Sequence, residues 1–378
     1  MKALFIIHCQ DPLYGASRSV GNLIRNLDAD VDLLFPVKLK RDGITPEQIR
    51  TFYGPRVRHV GYLPQPARLT ALADPVSLRH HVKSWVKDIL YLLALPRYRQ
   101  LYRKGQYDLI HLNSVTLYPM LQARWPMFLH VRETLRSRQN LWNRRLPERL
   151  KQAHGLFYIS EECRAACPQT TAPGLVLVNP YDQTRVQAVD RQAALARFGL
   201  KGTETVYAII GNIIPAKGVD FAISAFREAA LENAVLLVVG IDPNREGYER
   251  RVRAEAQADA RIRFLGELED MDPVYRITDY VVRADRAPGA GRTVFESLYS
   301  GGGVILMGNR EENLPSLGLP AELEANVVFY PVRDQQALSR TFQQTQHHRF
   351  EQRAYRTNIP QYVEAFQTFV FKNGLHAG

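Results

Sequence analysis

The 378-residue sequence contains few of the features that would assign it to a secreted or a membrane-spanning class of protein. Its three cysteines, Cys9, Cys163 and Cys167, are too few and too badly spaced for a disulfide framework or a zinc site. No apolar run approaches the ~20 residues that a membrane span needs, and there is no low-complexity tract. These absences favour a globular protein in a reducing cytoplasm.

Acidic residues are scarce relative to basic ones. The 38 Asp and Glu face 49 Lys and Arg, which gives a net charge of +11. Such an excess suits nucleic acid, an anionic membrane surface or phosphorylated substrates. No nucleic-acid recognition motif accompanies the charge, so no nucleic-acid partner is expected.

Much of the basic charge falls in two segments, residues 79–105 and 136–151. In the first, basic residues alternate with Trp85 and aliphatic residues, a pattern typical of a helix that lies on a membrane surface. The alternative is a domain helix with a solvated basic face. Pro96 is expected to break or kink this helix. The two segments predict an anionic membrane surface as a partner.

The length of the chain and a repeated pattern predict two domains. A buried-strand pattern over Lys2–His8 is followed by a glycine-containing loop and by helical spacing over Gly15–Leu27. The same order of strand, loop and helix returns over residues 205–230. The repeat predicts two similarly built, doubly wound α/β domains, residues 1–183 and 184–359.

Polar side chains mark the ends of two predicted strands in the first domain. His111 and Asn113 lie at the end of one strand. His130, Arg132 and Glu133 lie at the end of the next. Ligands of open α/β sheets bind outside the carboxyl ends of the strands, so these ends are candidate binding positions. A structural role in the core is the alternative for the two histidines.

A glycine-rich loop opens a short helix in the second domain, over Arg286–Val304. Small residues at a helix N-terminus leave backbone N–H groups to hold an anion, usually phosphate. Arg292 adds a planar cation that suits phosphate, and Glu296, one turn further, suits the paired hydroxyls of a ribose. The alternative is an ordinary loop and helix cap.

Seven segments carry a resemblance to one family, in the same order and over nearly the whole chain. They are Gly15–Val20, Asp108–Ser114, His130–Glu133, Val178–Asp182, Gly211–Asp220, Phe264–Gly266 and Gly291–Ser297. Together they resemble the retaining GT-B glycosyltransferases of glycosyltransferase family 4, which build bacterial polysaccharides. The resemblance implies two Rossmann-like domains that face each other across a cleft. It also implies that a C-terminal helix, about residues 360–378, packs back on the first domain.

The resemblance implies retaining, metal-independent transfer of a hexose from a UDP- or GDP-linked sugar, with no cofactor. Lys217, Arg292 and Glu296 would be the catalytic residues: the two cations would steady the leaving diphosphate, and Glu296 would bind the ribose. The alternatives are a solvated loop lysine at Lys217 and a helix-dipole partner at Glu296. Two Asp-x-Asp patterns, Asp28–Asp32 and Asp270–Asp272, are interpreted as solvated turn acids rather than metal ligands.

The resemblance also assigns residues to the two substrates. The donor-binding residues it implies are Gly15, Ala16, Gly211, Asn212, Lys217, Gly291, Arg292, Thr293, Val294 and Glu296. The residues it implies on the acceptor side are His111, Asn113, His130, Arg132 and Glu133. The implied acceptor is a lipid-linked oligosaccharide or a growing cell-surface polysaccharide. A cytoplasmic protein, peripheral on the inner face of the plasma membrane, is therefore expected.

The sequence departs from the family pattern at two positions. The first acid of a two-acid signature should fall eight residues before Glu296, where Pro288 stands and Asp285 is a weak substitute. Asn212 occupies a position that is commonly basic, and a charge-assisted bond is roughly twice as strong as a neutral one. These departures leave an alternative open: a catalytically degenerate GT-B protein that binds a nucleotide, a glycan or a partner transferase.

Overall fold

The computed structural model describes residues 1–9, 15–37, 45–67, 78–133, 135, 145–242, 247–286, 290–350 and 353–374, with the backbone alone at 78–81. The chain divides into two compact units, which we call unit 1 (Met1–Pro180 with Ile359–Gly378) and unit 2 (Tyr181–Asn358). The sequence predicts the corresponding boundaries after residues 183 and 359.

Unit 1 is built on a parallel sheet, for which the described residues supply seven strands in the order β3-β2-β1-β4-β5-β6-β7. Most of the strands are largely apolar, because helices cover both faces of a parallel sheet, whereas β3 at the edge is partly polar and exposed. They are β1 (Lys2–Ile6), β2 (Asp30–Pro36), β3 (Val57–Leu63), β4 (Leu109–Leu112), β5 (Met127–Val131), β6 (Gly155–Tyr158) and β7 (Gly174–Val176).

The helices that precede the second unit connect these strands. They are α1 (Gly15–Asn26), α2 (Pro46–Tyr53), α3 (Leu78–Gly105), α4 (Leu146–Leu150) and α5 (Glu161–Ala166). A turn of 3-10 helix, Val115–Met120, follows β4. The residue patterns of the sequence predict α1 and α3, and the structure confirms both.

Unit 2 repeats the architecture with a parallel sheet in the order β10-β9-β8-β11-β12-β13. Its strands are β8 (Thr205–Ile210), β9 (Ala234–Val239), β10 (Ile262–Gly266), β11 (Tyr280–Arg283), β12 (Gly303–Met307) and β13 (Val327–Tyr330). Its helices are α6 (Arg191–Arg197), α7 (Val219–Glu228), α8 (Tyr248–Ala256), α9 (Asp272–Ile277), α10 (Arg292–Tyr299), α11 (Arg310–Asn313), α12 (Ala321–Glu324) and α13 (Gln335–Thr345). The prediction of two doubly wound α/β domains is confirmed.

The last helix, α14 (Ile359–Gly374), belongs to unit 1, as the sequence predicts. Tyr362, Phe366 and Val370 recur every four residues and are buried. The ring of Phe366 stacks on that of Phe157 in β6, with centroids 4.8 Å apart. The helix therefore completes the apolar core on one face of the first sheet.

Of the two outcomes expected at Pro96, a break does not occur, since α3 continues through it. Two local predictions are wrong. Helical spacing predicts one helix over Val186–Phe198, but the chain there forms a 3-10 turn followed by α6, because the carboxylate of Asp190 accepts a bond from Gln192 N at 2.8 Å and starts a new helix. Asp32 is not a solvated turn acid: it lies inside β2, buried, and accepts a 2.7 Å hydrogen bond from Tyr107 Oη.

We expect Phe366→Ala to destabilise unit 1 by about 3–5 kcal/mol, because it removes a fully buried ring and leaves a cavity. Urea unfolding followed by tryptophan fluorescence reports on this unit, since Trp85, Trp125 and Trp142 all precede residue 180. Phe371→Ala on the same helix is the matched control. Its ring is 48% exposed, so a loss within about 0.5 kcal/mol is expected. Equal losses in the two variants would contradict the packing described for α14.

Candidate functional site

The strand order of unit 2 creates a crevice at the carboxyl ends of β8 and β11. These two strands are neighbours in the sheet, and the chain proceeds outward from them in opposite directions. Ligands of doubly wound sheets bind at such a switch point. The loop after β8 contains Gly211 and Lys217, and the loop after β11 leads to α10. Predicted donor-binding residues therefore lie in both loops.

The two loops contact each other directly at Gly218. This residue has a positive φ of 59°, and a Cβ there would lie 2.0 Å from the carbonyl oxygen of Ala284. Only glycine permits both the backbone conformation and the close approach. A further backbone bond, from Arg286 N to Ala216 O at 2.9 Å, fastens the loops together. The contact holds Lys217 against the loop after β11.

One carboxylate joins the cations of this crevice. Asp285 Oδ1 lies 2.7 Å from Lys217 Nζ, and Asp285 Oδ2 lies 2.7 Å from Arg283 Nε. The three side chains are 16%, 33% and 12% exposed, respectively, so the cluster is partly shielded from water. The sequence does not single out Arg283, because a single basic residue at a strand end is not a recognisable motif. Its position on the strand beside β8 was the available signal.

The cluster extends to the start of α10. Arg283 Nη1 donates a 3.2 Å hydrogen bond to Thr293 Oγ1 in the first turn of the helix. Gly291 is the N-cap residue and provides no side-chain cap for the first-turn N–H groups. Two of the predicted phosphate-binding residues, Gly291 and Thr293, thus adjoin Arg283. The N–H of the third, Val294, donates to Gly291 O at 3.1 Å. Pro288, where the sequence departs from the family pattern, lies outside the described residues.

Glu296 is held by two neighbours. Its Oε1 accepts a 2.9 Å hydrogen bond from Arg292 Nη2, and its Oε2 accepts a 2.6 Å bond from Tyr275 Oη. The Arg292 guanidinium also lies over the Tyr181 ring, 4.8 Å from the ring centroid. Glu296 is therefore rigidly placed one turn into α10. The assignment of Arg292 to phosphate stays a prediction, since its guanidinium is bound to Glu296 here.

The structure places the other predicted donor residues as follows. Gly211 and Asn212 are exposed directly after β8. Gly15 and Ala16 form the first turn of α1 and are half-buried. Residues 10–14, which complete the predicted glycine loop after β1, lie outside the described part of the chain.

The predicted acceptor-side residues of unit 1 form a connected polar cluster, but two of them lie inside the core. His111 and His130 are fully buried, with Nε2 of the first 3.3 Å from Nδ1 of the second. The His111 ring also packs against Phe5 and Phe366, at centroid distances of 4.9 and 5.8 Å. This placement supports the structural alternative for both histidines.

The histidine pair supports Arg132. Arg132 Nη2 lies 3.3 Å from His130 Nδ1, and because a guanidinium only donates, this ring nitrogen must accept. His111 Nε2 then carries a proton and donates to the same acceptor. Asn113 and Asn179 also accept bonds from Arg132, at 2.9 and 2.7 Å. Arg132 is thus fixed at the carboxyl end of β5 by neutral acceptors on three segments.

Glu133, the last predicted acceptor-side residue, is bound to backbone and side-chain donors. Its carboxylate accepts bonds from Ser114 Oγ and from the backbone nitrogens of Val115 (3.2 Å) and Arg132 (3.1 Å). Arg132 and Glu133 are half-buried, whereas Asn113 is fully buried. Arg132 and Glu133 are consequently the two members of the predicted set with exposed surface for a ligand.

Comparison with solved structures shows that the chain has the GT-B fold. HepE of Anabaena, solved in complex with UDP and glucose, is similar with a TM-score of 0.67 at 16% identity, over 98% of this chain and 99% of that one. Sucrose-phosphate synthase from Thermosynechococcus elongatus is similar with a TM-score of 0.67 at 17% identity, over 98% and 96% of the two chains.

Sequence comparison points to the same class. Residues 190–362, most of which belong to unit 2, match the model of the family described as glycosyl transferases group 1. The D-inositol 3-phosphate glycosyltransferase of Nocardia farcinica is 28% identical over 233 residues, which are 53% of this chain and 51% of that protein. The chain thus spans about half the length of the relatives it matches. Together the comparisons support a GT-B glycosyltransferase.

Burial of the unit 1 histidines predicts acid sensitivity. Desolvation, assisted by the charge of Arg132, lowers the pKa of His8 to about 4 and the pKa of His111 and His130 well below 6.5. The unfolded chain therefore binds more protons than the folded one below pH ~6.5, and stability falls as pH falls through that value. We expect a loss of about 1.4 kcal/mol per pH unit for each such histidine.

Urea unfolding between pH 7.5 and 5, followed by tryptophan fluorescence, measures this loss. His130→Gln should reduce the slope by about 1.4 kcal/mol per pH unit, because it removes one group that protonates only on unfolding. The free energy of unfolding of each variant is compared with its own value at pH 7.5, so that a loss of stability that is the same at every pH cancels. His59→Gln, at an exposed position in the same unit, is the control. An unchanged slope in His130→Gln would contradict the origin assigned to the acid sensitivity.

Proposed function

We propose that this chain transfers a hexose from a nucleoside-diphosphate sugar to a lipid-linked or growing cell-surface polysaccharide acceptor, with retention of configuration. One observation carries the proposal. In the unit that matches the glycosyltransferase family, a series of contacts runs from Lys217 through Asp285 and Arg283 to the first turn of α10. Glu296, which we propose binds the ribose, lies one turn further along the same helix.

The donor would bind along this series of contacts. Its diphosphate would lie at the start of α10, against Lys217 and the N–H group of Thr293. Its ribose hydroxyls would donate to the carboxylate of Glu296. HepE, which shares the fold, was solved with UDP and glucose, and this supports a nucleoside diphosphate as the ligand of the proposed site.

Catalysis in this proposal depends on stabilising the leaving diphosphate. As the bond to the sugar breaks, negative charge develops on the phosphate, where Lys217 and the helix N–H groups are already placed. The acceptor attacks from the face that the diphosphate leaves, so no protein nucleophile is used. We propose that the reaction is independent of metal ions, as the family resemblance implies. Arg132 and Glu133 are proposed to orient the acceptor.

Donor turnover tests the proposed site. We expect Lys217→Ala to lower kcat/KM about 10²-fold, because it removes one charge-stabilising donor from the leaving group. Glu296→Gln should raise the KM for the donor about tenfold, since its hydrogen bonds to the ribose become neutral. Hydrolysis and transfer are measured with a panel of UDP- and GDP-linked sugars.

Two variants in unit 2 provide matched controls. Lys201→Ala removes an exposed lysine. Glu255→Gln alters a helical glutamate whose Oε1 lies 3.7 Å from Nε of Arg251, four residues earlier, as Arg292 precedes Glu296. Both controls should keep wild-type turnover. Full activity in Lys217→Ala and Glu296→Gln would remove these residues from the proposed mechanism.

The ion pairs of Asp285 favour the alternative of a catalytically degenerate GT-B protein. This residue is the nearest substitute for the sugar-binding acid that Pro288 replaces, but both of its carboxylate oxygens lie in ion pairs. A chain that binds the nucleotide without holding the sugar would bind a glycan or a partner transferase rather than turn over a donor. Nucleotide binding without turnover of any donor in the panel would favour this alternative.

We propose that α3 docks the chain on an anionic membrane that carries the acceptor. No helix within the described ranges is long and apolar enough to cross a membrane. The apolar residues of α3 are nevertheless largely exposed: Trp85 by 58%, Ile89 by 53% and Leu93 by 72%. Exposed basic residues accompany them: Lys83, Lys87, Arg97, Arg99, Arg103 and Lys104. Apolar and basic side chains together suit an interfacial helix.

The buried face of α3 strengthens this assignment. Ser84, Asp88 and Tyr91 are buried, and Asp88 Oδ1 accepts a 2.9 Å bond from Ala67 N. The first half of the helix therefore turns polar residues inward and leaves aliphatic residues outside. Such an apolar surface marks an interaction site. The second basic segment, 136–151, is described only from residue 145, and Arg145 and Lys151 are exposed there.

Co-sedimentation with vesicles tests the docking surface. We expect wild type to bind vesicles with anionic lipid and to be released by salt. Replacing Trp85, Ile89 and Leu93 by serine should lower binding at least tenfold, because three large apolar side chains no longer enter the lipid. Phe371→Ser, an exposed aromatic on α14, is the control and should bind as wild type. Binding that is unaffected by the triple substitution would contradict the role of α3.

A further inference from the structure

We infer that Asp285 is an internal anion that occupies part of the diphosphate site, and that Arg283 is a further diphosphate-binding residue. The inference rests on the proposed function and identifies which residues of this chain compete for the phosphate. Its basis is that one carboxylate bridges two cations at 2.7 Å each, at the point where both loops of the switch-point crevice meet.

Arg283 is placed for this role by its neighbours. Its Nη1 bonds Thr293 Oγ1, and a Cβ at Gly291 would lie 2.5 Å from the same nitrogen. The guanidinium therefore lies against the backbone of Gly291, the N-cap residue of α10. A phosphate held by the first-turn N–H groups would lie within reach of a planar, bidentate cation, which is the arrangement that suits phosphate best.

The position of Arg283 also accounts for the missing charge at Asn212. Asn212 follows β8, and Arg283 ends β11, the strand next to β8 in the sheet. A cation lost from one strand end is thus present at the neighbouring strand end. The crevice thus contains the cations Lys217 and Arg283, and Arg283 replaces the basic residue that the family pattern places at the position of Asn212.

Asp285 sets the affinity of these cations for a ligand. A diphosphate must replace the carboxylate at Lys217 and Arg283, because each cation has Asp285 as an ion-pair partner at 2.7 Å. The exchange lowers the affinity for the leaving diphosphate and speeds its release. Without a ligand, the carboxylate keeps both cations in the positions that the phosphate requires.

The exchange predicts opposite effects from two neighbouring substitutions. Asp285→Asn should tighten binding of UDP or GDP, and of inorganic pyrophosphate, about fivefold, because the two cations lose a competing anion. Arg283→Met should weaken binding about tenfold, and Arg283→Lys should restore part of the loss. Isothermal titration calorimetry measures each dissociation constant, at low salt, where partly exposed charges are least screened.

A control and a second readout separate affinity from folding. Arg253→Met removes an arginine that pairs with Glu249 at 2.8 Å on α8, and should leave the dissociation constants unchanged within about twofold. A thermal unfolding midpoint for every variant identifies any that fail to fold. A merely structural role for Asp285 would weaken binding in Asp285→Asn, so tighter binding separates the two roles.

The outcomes distinguish this inference from the proposed function. If wild type binds UDP or GDP and Asp285→Asn binds no more tightly, the inference is overturned and the donor site stands. If wild type binds pyrophosphate but neither nucleotide, and the variants shift as expected, the anion site stands and the nucleotide assignment falls. If wild type binds none of the three, both are overturned.

Discussion

Parallel pairing of the strands is the constraint on which both candidate sites depend. Helices cover both faces of each sheet, so the strand interiors are apolar and the carboxyl ends provide the positions where polar side chains gather. In unit 2 the ends of β8 and β11 bring together two loops that are 60 or more residues apart in the chain. Gly218 then allows those loops to touch, and the ion pair between Lys217 and Asp285 follows from that contact.

Unit 1 follows the same constraint with one exception. His111 and His130 lie within strands rather than beyond them, and burial makes an unpaired imidazole costly. The two rings meet at 3.3 Å, and Arg132 bonds the shared nitrogen. The core thus contains a neutral pair whose function is positional: it directs Arg132 toward the end of β5. The cost of this arrangement is acid sensitivity, because neither ring takes up a proton readily while buried.

The sequence predicts the fold because its signals are local. Apolar runs, helical spacing and the repeated order of strand, loop and helix recur in both halves, and each is visible without a partner. Helix α2 also has a local signal: Thr45 and Gln48 form a capping box around Pro46, the first helical residue. Its eight residues are too few to show a helical period, so apolar spacing alone does not predict it.

The candidate site was less predictable because its defining interactions are distant in the chain. Lys217 and Asp285 are 68 residues apart, and no sequence pattern shows that they form an ion pair. A charged residue that the sequence assigns to a ligand is therefore assigned without knowledge of the residues it already contacts. For Arg292, the sequence does show the i,i+4 pair with Glu296. It does not show the contact with the Tyr181 ring, because Tyr181 is distant in the chain.

Helix α3 shows how the same limit applies to a surface. Its sequence is equally consistent with a solvated basic face and an interfacial one, because periodicity cannot tell which side of a helix is buried. The structure decides the side: Tyr98 donates to Pro64 O at 3.0 Å from within the core, while Leu92 and Leu93 are 56% and 72% exposed. The buried tyrosines Tyr91, Tyr98 and Tyr102 fill the inner face, so the outer aliphatic residues Leu92 and Leu93 add nothing to the core of unit 1. An exposed apolar surface with no part in folding persists at a cost in solubility, and a membrane that covers it removes that cost.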